Sequence, residues 1–123
     1  MKGRLGEEKM NKNTDFLNVS INQIHRLGLN RAILLTALVK LYSDACDNEQ
    51  LDDNDKITVH AHAIEYLTGL SHKQQKRILN ALAKERYIEG FFKEQENGPD
   101  VICFKPLFNF RVAEKNRNYY VGI

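Results

Sequence analysis

Four groups of residues have types and spacings that chemistry can use. His60 and His62 sit one residue apart, as two nitrogen ligands for a metal would. The stretch 47–56, DNEQLDDNDK, crowds Asp47, Glu49, Asp52, Asp53 and Asp55 together, as oxygen ligands for a hard cation would be. Cys46 and Cys103 are the two thiols. Between Ser71 and Arg86 lie five bases, Lys73, Lys76, Arg77, Lys84 and Arg86, against the single acid Glu85, which is the composition of a surface that meets a polyanion.

Spacing separates these groups. On a helix, residues i and i+2 point apart, and no cysteine or further histidine–carboxylate cluster accompanies His60 and His62, so they read as surface or capping histidines. The acidic stretch lacks the sixth-position glycine and the closing glutamate of a helix–loop–helix calcium site, so it reads as a solvated loop. The cysteines lie in unrelated contexts and imply no disulfide framework. They read as small apolar residues in a reducing, cytoplasmic protein. There is no nucleophile–base–acid arrangement, glycine-rich phosphate loop, HExxH, or pair of carboxylates on one helical face. No residue set calls for an enzyme or a cofactor. The basic group remains.

At about 100° per residue, Ile78, Leu79 and Leu82 fall within an arc of roughly 100°. Lys73, Lys76, Arg77, Asn80 and Lys84 occupy the opposite arc, which carries no acid. A helix over 72–85 is then anchored by one edge and cationic on the other. Solvated helices ordinarily mix signs, because opposite charges at i,i+4 gain a few tenths of a kcal/mol and like charges lose it. A polyanion would relieve that cost.

The elements around this helix follow from pattern. Ser71-His72-Lys73-Gln74 is a capping box that opens it, and Gly69 stops a short helix over 60–68 whose Ala63, Ile64 and Leu67 face inward. Ile57-Thr58-Val59 is β-branched and predicts a strand. Residues 91–95 and 101–105 are strand-like runs joined across Asn97-Gly98, a hairpin signal. Upstream, Asn30 is a plausible N-cap for a helix over 31–46. Its polar residues Thr36, Lys40, Ser43, Asp44 and Asp47 form one narrow stripe, so the rest of its circumference is core. Residues 22–27 predict a helical turn ended by Gly28, and 16–21 a short strand or extended lead-in.

The composition fits one folded domain: 123 residues, 42% hydrophobic, 28% charged and two prolines. Residues 1–14 read as a polar tail, 15–106 as the domain and 107–123 as a basic, aromatic extension. No apolar run approaches the roughly 18 residues a membrane span needs, and the start, MKGRLGEEKMNKN, lacks the apolar centre of a secretory signal. A cytoplasmic protein with no membrane partner is the expectation.

The stretch ITVHAHAIEYLTGLSHKQQKRILNALAKERYIEGFF, preceded by FLNVSINQIHRLGLNRAILLTALVKLYSDA, resembles the winged helix-turn-helix family. It looks most like the winged-helix modules of phage and plasmid replication-initiator and replisome-organiser proteins. The resemblance covers about residues 16–106 and implies a mainly α fold with a small β-hairpin wing. It also implies sequence-specific binding of double-stranded DNA, by a transcriptional regulator or replication-initiation factor. The helix opened by Ser71 would enter the major groove, with Ser71, His72, Lys73 and Gln74 deepest. Gln74 or Gln75 would read an adenine edge, unless the capping box occupies Gln74, and Lys73 or Arg77 a guanine edge. Lys76, Lys84 and Arg86 would hold phosphates.

One feature departs from this pattern. Between Glu89 and Asp100, Lys93 stands alone against Glu89, Glu94, Glu96 and Asp100. So acidic a wing either turns from DNA or docks on a protein, and the tail bases Arg111, Lys115 and Arg117 would then take the backbone role. The alternative reading is a protein-docking module, or a phage-encoded inhibitor of a host nucleic-acid enzyme, acting through these acids and those of the acidic loop 47–56. The alternating Phe108, Phe110 and Val112, with Tyr119 and Tyr120, either fold back on the long helix or make a dimer contact, as would residues 16–29. A homodimer would match a two-fold symmetric site.

Overall fold

The computed structural model describes residues 17–108. Four helices and three strands follow in the order α1 (Ile21–Leu27), α2 (Leu29–Asp47), β1 (Ile57–His60), α3 (Ala61–Thr68), α4 (His72–Lys84), β2 (Ile88–Lys93) and β3 (Val101–Pro106). The hairpin β2–β3 is present, but β1 joins it in antiparallel register, giving a three-stranded sheet of order β1-β3-β2. The fold is thus mixed α/β rather than helices plus a free hairpin. Among the described residues, no helix is long and apolar enough to cross a membrane.

The helices begin where their caps allow. The 16–21 alternation builds no strand in its described part: residues 17–20 have no regular structure, and the Ser20 hydroxyl accepts from the Gln23 N–H to start α1. Asn30 is not the N-cap of α2. Gly28 is, at φ 90° and ψ 157°, a region open only to glycine, and this allows α2 to start two residues after α1 ends. α2 is the central element, with Ala32, Leu34, Leu35, Ala37 and Leu38 fully buried. In α3 the inward residues are Ala61 and Ile64, with Leu67 half-buried. Ala63 is exposed, because a helix that starts at Ala61 turns its 61/64 edge to the core.

Phe104 and Ile102 of β3, Ile88 of β2, Ile57 of β1 and Leu79 and Leu82 of α4 close one core with α2. Tyr42 stacks at a tilt on Phe104, with centroids 5.9 Å apart, and its hydroxyl donates to the Asp55 carbonyl oxygen. Burial raises its pKa above the ordinary tyrosine value. The acidic stretch folds on itself. The Asp52 carboxylate accepts N–H groups of Lys56 and Asn54 at 2.9 and 2.8 Å, and these hold its pKa below the ordinary value. Cys46 and Cys103 are free and only partly buried. Strand β2 begins three residues before the expected 91, since Ile88 already pairs with Pro106. Gly90 is required there, because a Cβ would run into the Cys103 carbonyl oxygen and land 2.6 Å from the Phe104 Cβ.

Candidate nucleic-acid interface

The start of α4 is built as its first four residues predict. The Ser71 hydroxyl accepts from the Gln74 N–H at 3.1 Å, and the Gln74 side-chain oxygen accepts from the Ser71 N–H at 2.9 Å. Both side chains are therefore engaged in capping. Gly69, at φ 77°, makes the turn that lets Leu70 plug the core between α3 and α4.

Three sides of α4 carry different chemistry. The inner side holds Ile78, Leu79, Leu82 and also Gln75, which is fully buried. Its amide nitrogen donates to the carbonyls of Ala61 at 3.0 Å and Leu70 at 2.9 Å, tying α3, the turn and α4 together. Gln75 is thus removed from the candidate base readers: it is a polar strut of the core, placed three and four residues before Ile78 and Leu79. Its side-chain oxygen is buried without a partner.

The side facing the wing is neutralised. Lys76 Nζ donates to Glu94 Oε1 at 3.1 Å. His72 lies between two carboxylates, with Nδ1 3.0 Å from Asp100 Oδ2 and Nε2 3.4 Å from Glu65 Oε1, and its ring meets Phe92 edge-on. Asp100 also accepts the Gln95 N–H through its other carboxylate oxygen and the Ala61 N–H through its carbonyl, so it fastens the wing loop to the start of both α3 and α4. Lys56 pairs with Glu89 at 3.2 Å. Of the four wing acids, Glu89 and Glu94 therefore face lysines of this chain and Asp100 faces the His72 ring. His72 and Lys76 are cross-linked to the wing rather than open to a ligand.

The outer ridge keeps its charge. Lys73, Arg77, Asn80 and Lys84 are exposed, and among the described residues no carboxylate lies within ion-pairing distance of the three cations. Arg86 is exposed in the turn after α4, at φ 68°, a left-handed conformation uncommon for a side chain of its size. Arg111, Lys115 and Arg117 lie outside the described residues.

On the far side from the wing, α4 borders an open groove of about 540 Å³, lined by Arg31, Arg77, Leu27, Leu29, Ile78 and Ala81 among others. Arg31 belongs to α2 and donates to Glu85 at 3.0 Å. Sequence reasoning missed it, since nothing local marks a residue 46 positions before Arg77 as its neighbour. His60 and His62 are both exposed, and among the described residues no group of three histidine, cysteine or acidic side chains is arranged to hold a metal.

No family model matches the chain, and neither the curated proteins nor the solved structures contain a significant match to it.

Proposed function

We propose that the chain is a winged helix-turn-helix protein that binds double-stranded DNA, with α4 as the helix that enters the major groove. Three features support the fold reading: the order of elements, the tight turn at 69–71 between α3 and α4, and the hairpin that follows directly. The observation that carries the functional reading is the outer ridge of α4. Lys73, Arg77 and Lys84 project from one side of a helix whose other side is locked into the core by four buried residues. On this reading Lys73 meets a guanine edge, while Arg77 and Lys84 hold phosphates. The resemblance to replication-initiator modules makes a transcriptional regulator or initiation factor of a phage or plasmid the corresponding role.

The rival reading, a module that docks a basic protein surface on its acidic wing and acidic loop, has less to work with at the wing. Glu89, Glu94 and Asp100 already face Lys56, Lys76 and His72.

Selection from a random duplex library, followed by a mobility-shift titration over salt, tests the proposal. Enrichment of one motif is expected, with affinity falling steeply as salt rises. Lys73→Ala with Lys84→Ala should relax the motif and flatten the salt slope by about one, the share of the phosphate contact at Lys84. No enrichment, together with a double variant indistinguishable from the parent chain, overturns it.

A further inference from the structure

The groove beside α4 adjoins the ridge at Arg77 and lies away from the wing, and its composition is specific. Two guanidinium groups, Arg31 and Arg77, share a lining with Leu27, Leu29, Ile78 and Ala81. Of these, Leu29 is 54% exposed, too much for a residue whose only task is to fill a core. A DNA strand offers the same alternation, one phosphate per nucleotide separated by the carbon face of a deoxyribose. Guanidinium forks onto phosphate oxygens, and apolar side chains pack on the sugar. Arg77 belongs to ridge and groove together, so the groove continues the cationic surface instead of standing apart from it.

We propose that this groove seats the sugar–phosphate backbone of the DNA strand that flanks the major groove occupied by α4, with Arg31 and Arg77 on its phosphates. The inference rests on the ridge reading above and adds a direction to it: the duplex leaves α4 toward the α1–α2 corner and away from the wing. Charge favours that side. The wing flank presents Glu94 and Asp100 beside the helix, whereas the groove flank has Glu85 as the acid at its edge, and Glu85 is engaged with Arg31. In the free protein the Glu85 carboxylate stands where the phosphate would, and binding exchanges one anion for the other.

Three variants test this on duplexes of random sequence, because a backbone contact is indifferent to bases. Arg31→Ala combined with Glu85→Ala leaves net charge unchanged. It should weaken binding about three- to tenfold at every sequence and lower the salt slope by about one. Glu85→Gln alone, which releases Arg31, should tighten binding by a similar factor. Leu29→Glu places an anion in the groove on a side chain already half in solvent, and should weaken binding without lowering the melting temperature. If these variants bind as the parent chain does while Lys73→Ala with Lys84→Ala loses affinity, the groove assignment is wrong and the ridge reading stands. If all four bind as the parent, both fall. If a leucine- and glutamate-rich peptide competes with nothing but still binds the parent chain and not the Arg31/Glu85 variant, the groove is a peptide site and the proposal fails.

Discussion

The two flanks of α4 begin with similar charges and end in opposite states. Toward the wing, Lys76 and His72 meet Glu94, Asp100 and Glu65, and the hairpin lies tight against the helix. Toward the α1–α2 corner, Arg77 meets no acid among the described residues, and a groove stays open beside it. One flank spends Lys76 on an internal cross-link; on the other Arg77 stays unmatched, and Arg31 of α2 is paired with Glu85. Net charge cannot distinguish these outcomes. A basic helix becomes a candidate ligand-binding surface only on the side where the chain's own acids do not reach.

The strongest way to break this contrast is to push the wing away. At Gly90 an added methyl collides with β3 backbone that cannot retreat, since Gly90 is paired with Phe104 in the register of β2 and β3. Gly90→Ala should cost about 3 kcal/mol in urea denaturation, the upper end of the range for overpacking, since the atoms it meets are backbone and the Phe104 Cβ. A smaller, cleaner lesion is Asp100→Ala. It removes the carboxylate that faces His72 and accepts from Gln95, at a cost of about 1–2 kcal/mol. The same variant removes an anion from beside the helix, so duplex affinity, measured by anisotropy at low salt, should rise. A fall would mean that the fastened wing, rather than its charge, is what DNA requires.

The parts of this arrangement that were legible in the sequence are those set by short-range rules. The capping box at Ser71 and Gln74, the stop at Gly69 and the hairpin around Asn97-Gly98 each need only neighbours a few residues away. The inward edge of α4 was legible too, except for Gln75. Its position on the wheel is that of a core residue, and its polarity hid this; the carbonyls of Ala61 and Leu70, which the turn brings beside it, accept its amide N–H groups there. The α2 start was misplaced because Asn30 is a good cap by type, whereas Gly28 alone can take the backbone angles of that corner. The allocation of charge was not legible at all. Lys76 with Glu94, Arg31 with Glu85 and Lys56 with Glu89 are pairs made by tertiary packing, at separations of 18, 54 and 33 residues that no local pattern records.

The sharpest comparison uses two consecutive residues. Lys76→Ala and Arg77→Ala each remove one positive charge from α4, so the long-range attraction to a polyanion changes equally. Any difference between them is local. Lys76 and Glu94 have side chains 47% and 64% exposed, and such pairs contribute within about 0.5 kcal/mol, so neither variant should move stability much. Binding should separate them. Arg77→Ala removes a cation open to the ligand and should cost roughly tenfold, with a salt slope lower by about one. Lys76→Ala, with the same change of charge, should cost only the long-range share, and adding Glu94→Ala, which restores the net charge, should leave the slope where it was. Equal losses from Arg77→Ala and the Lys76/Glu94 pair would mean that Glu94 releases Lys76 when DNA arrives. The wing would then be a gate on the cationic surface, and the two flanks would differ only in the free protein.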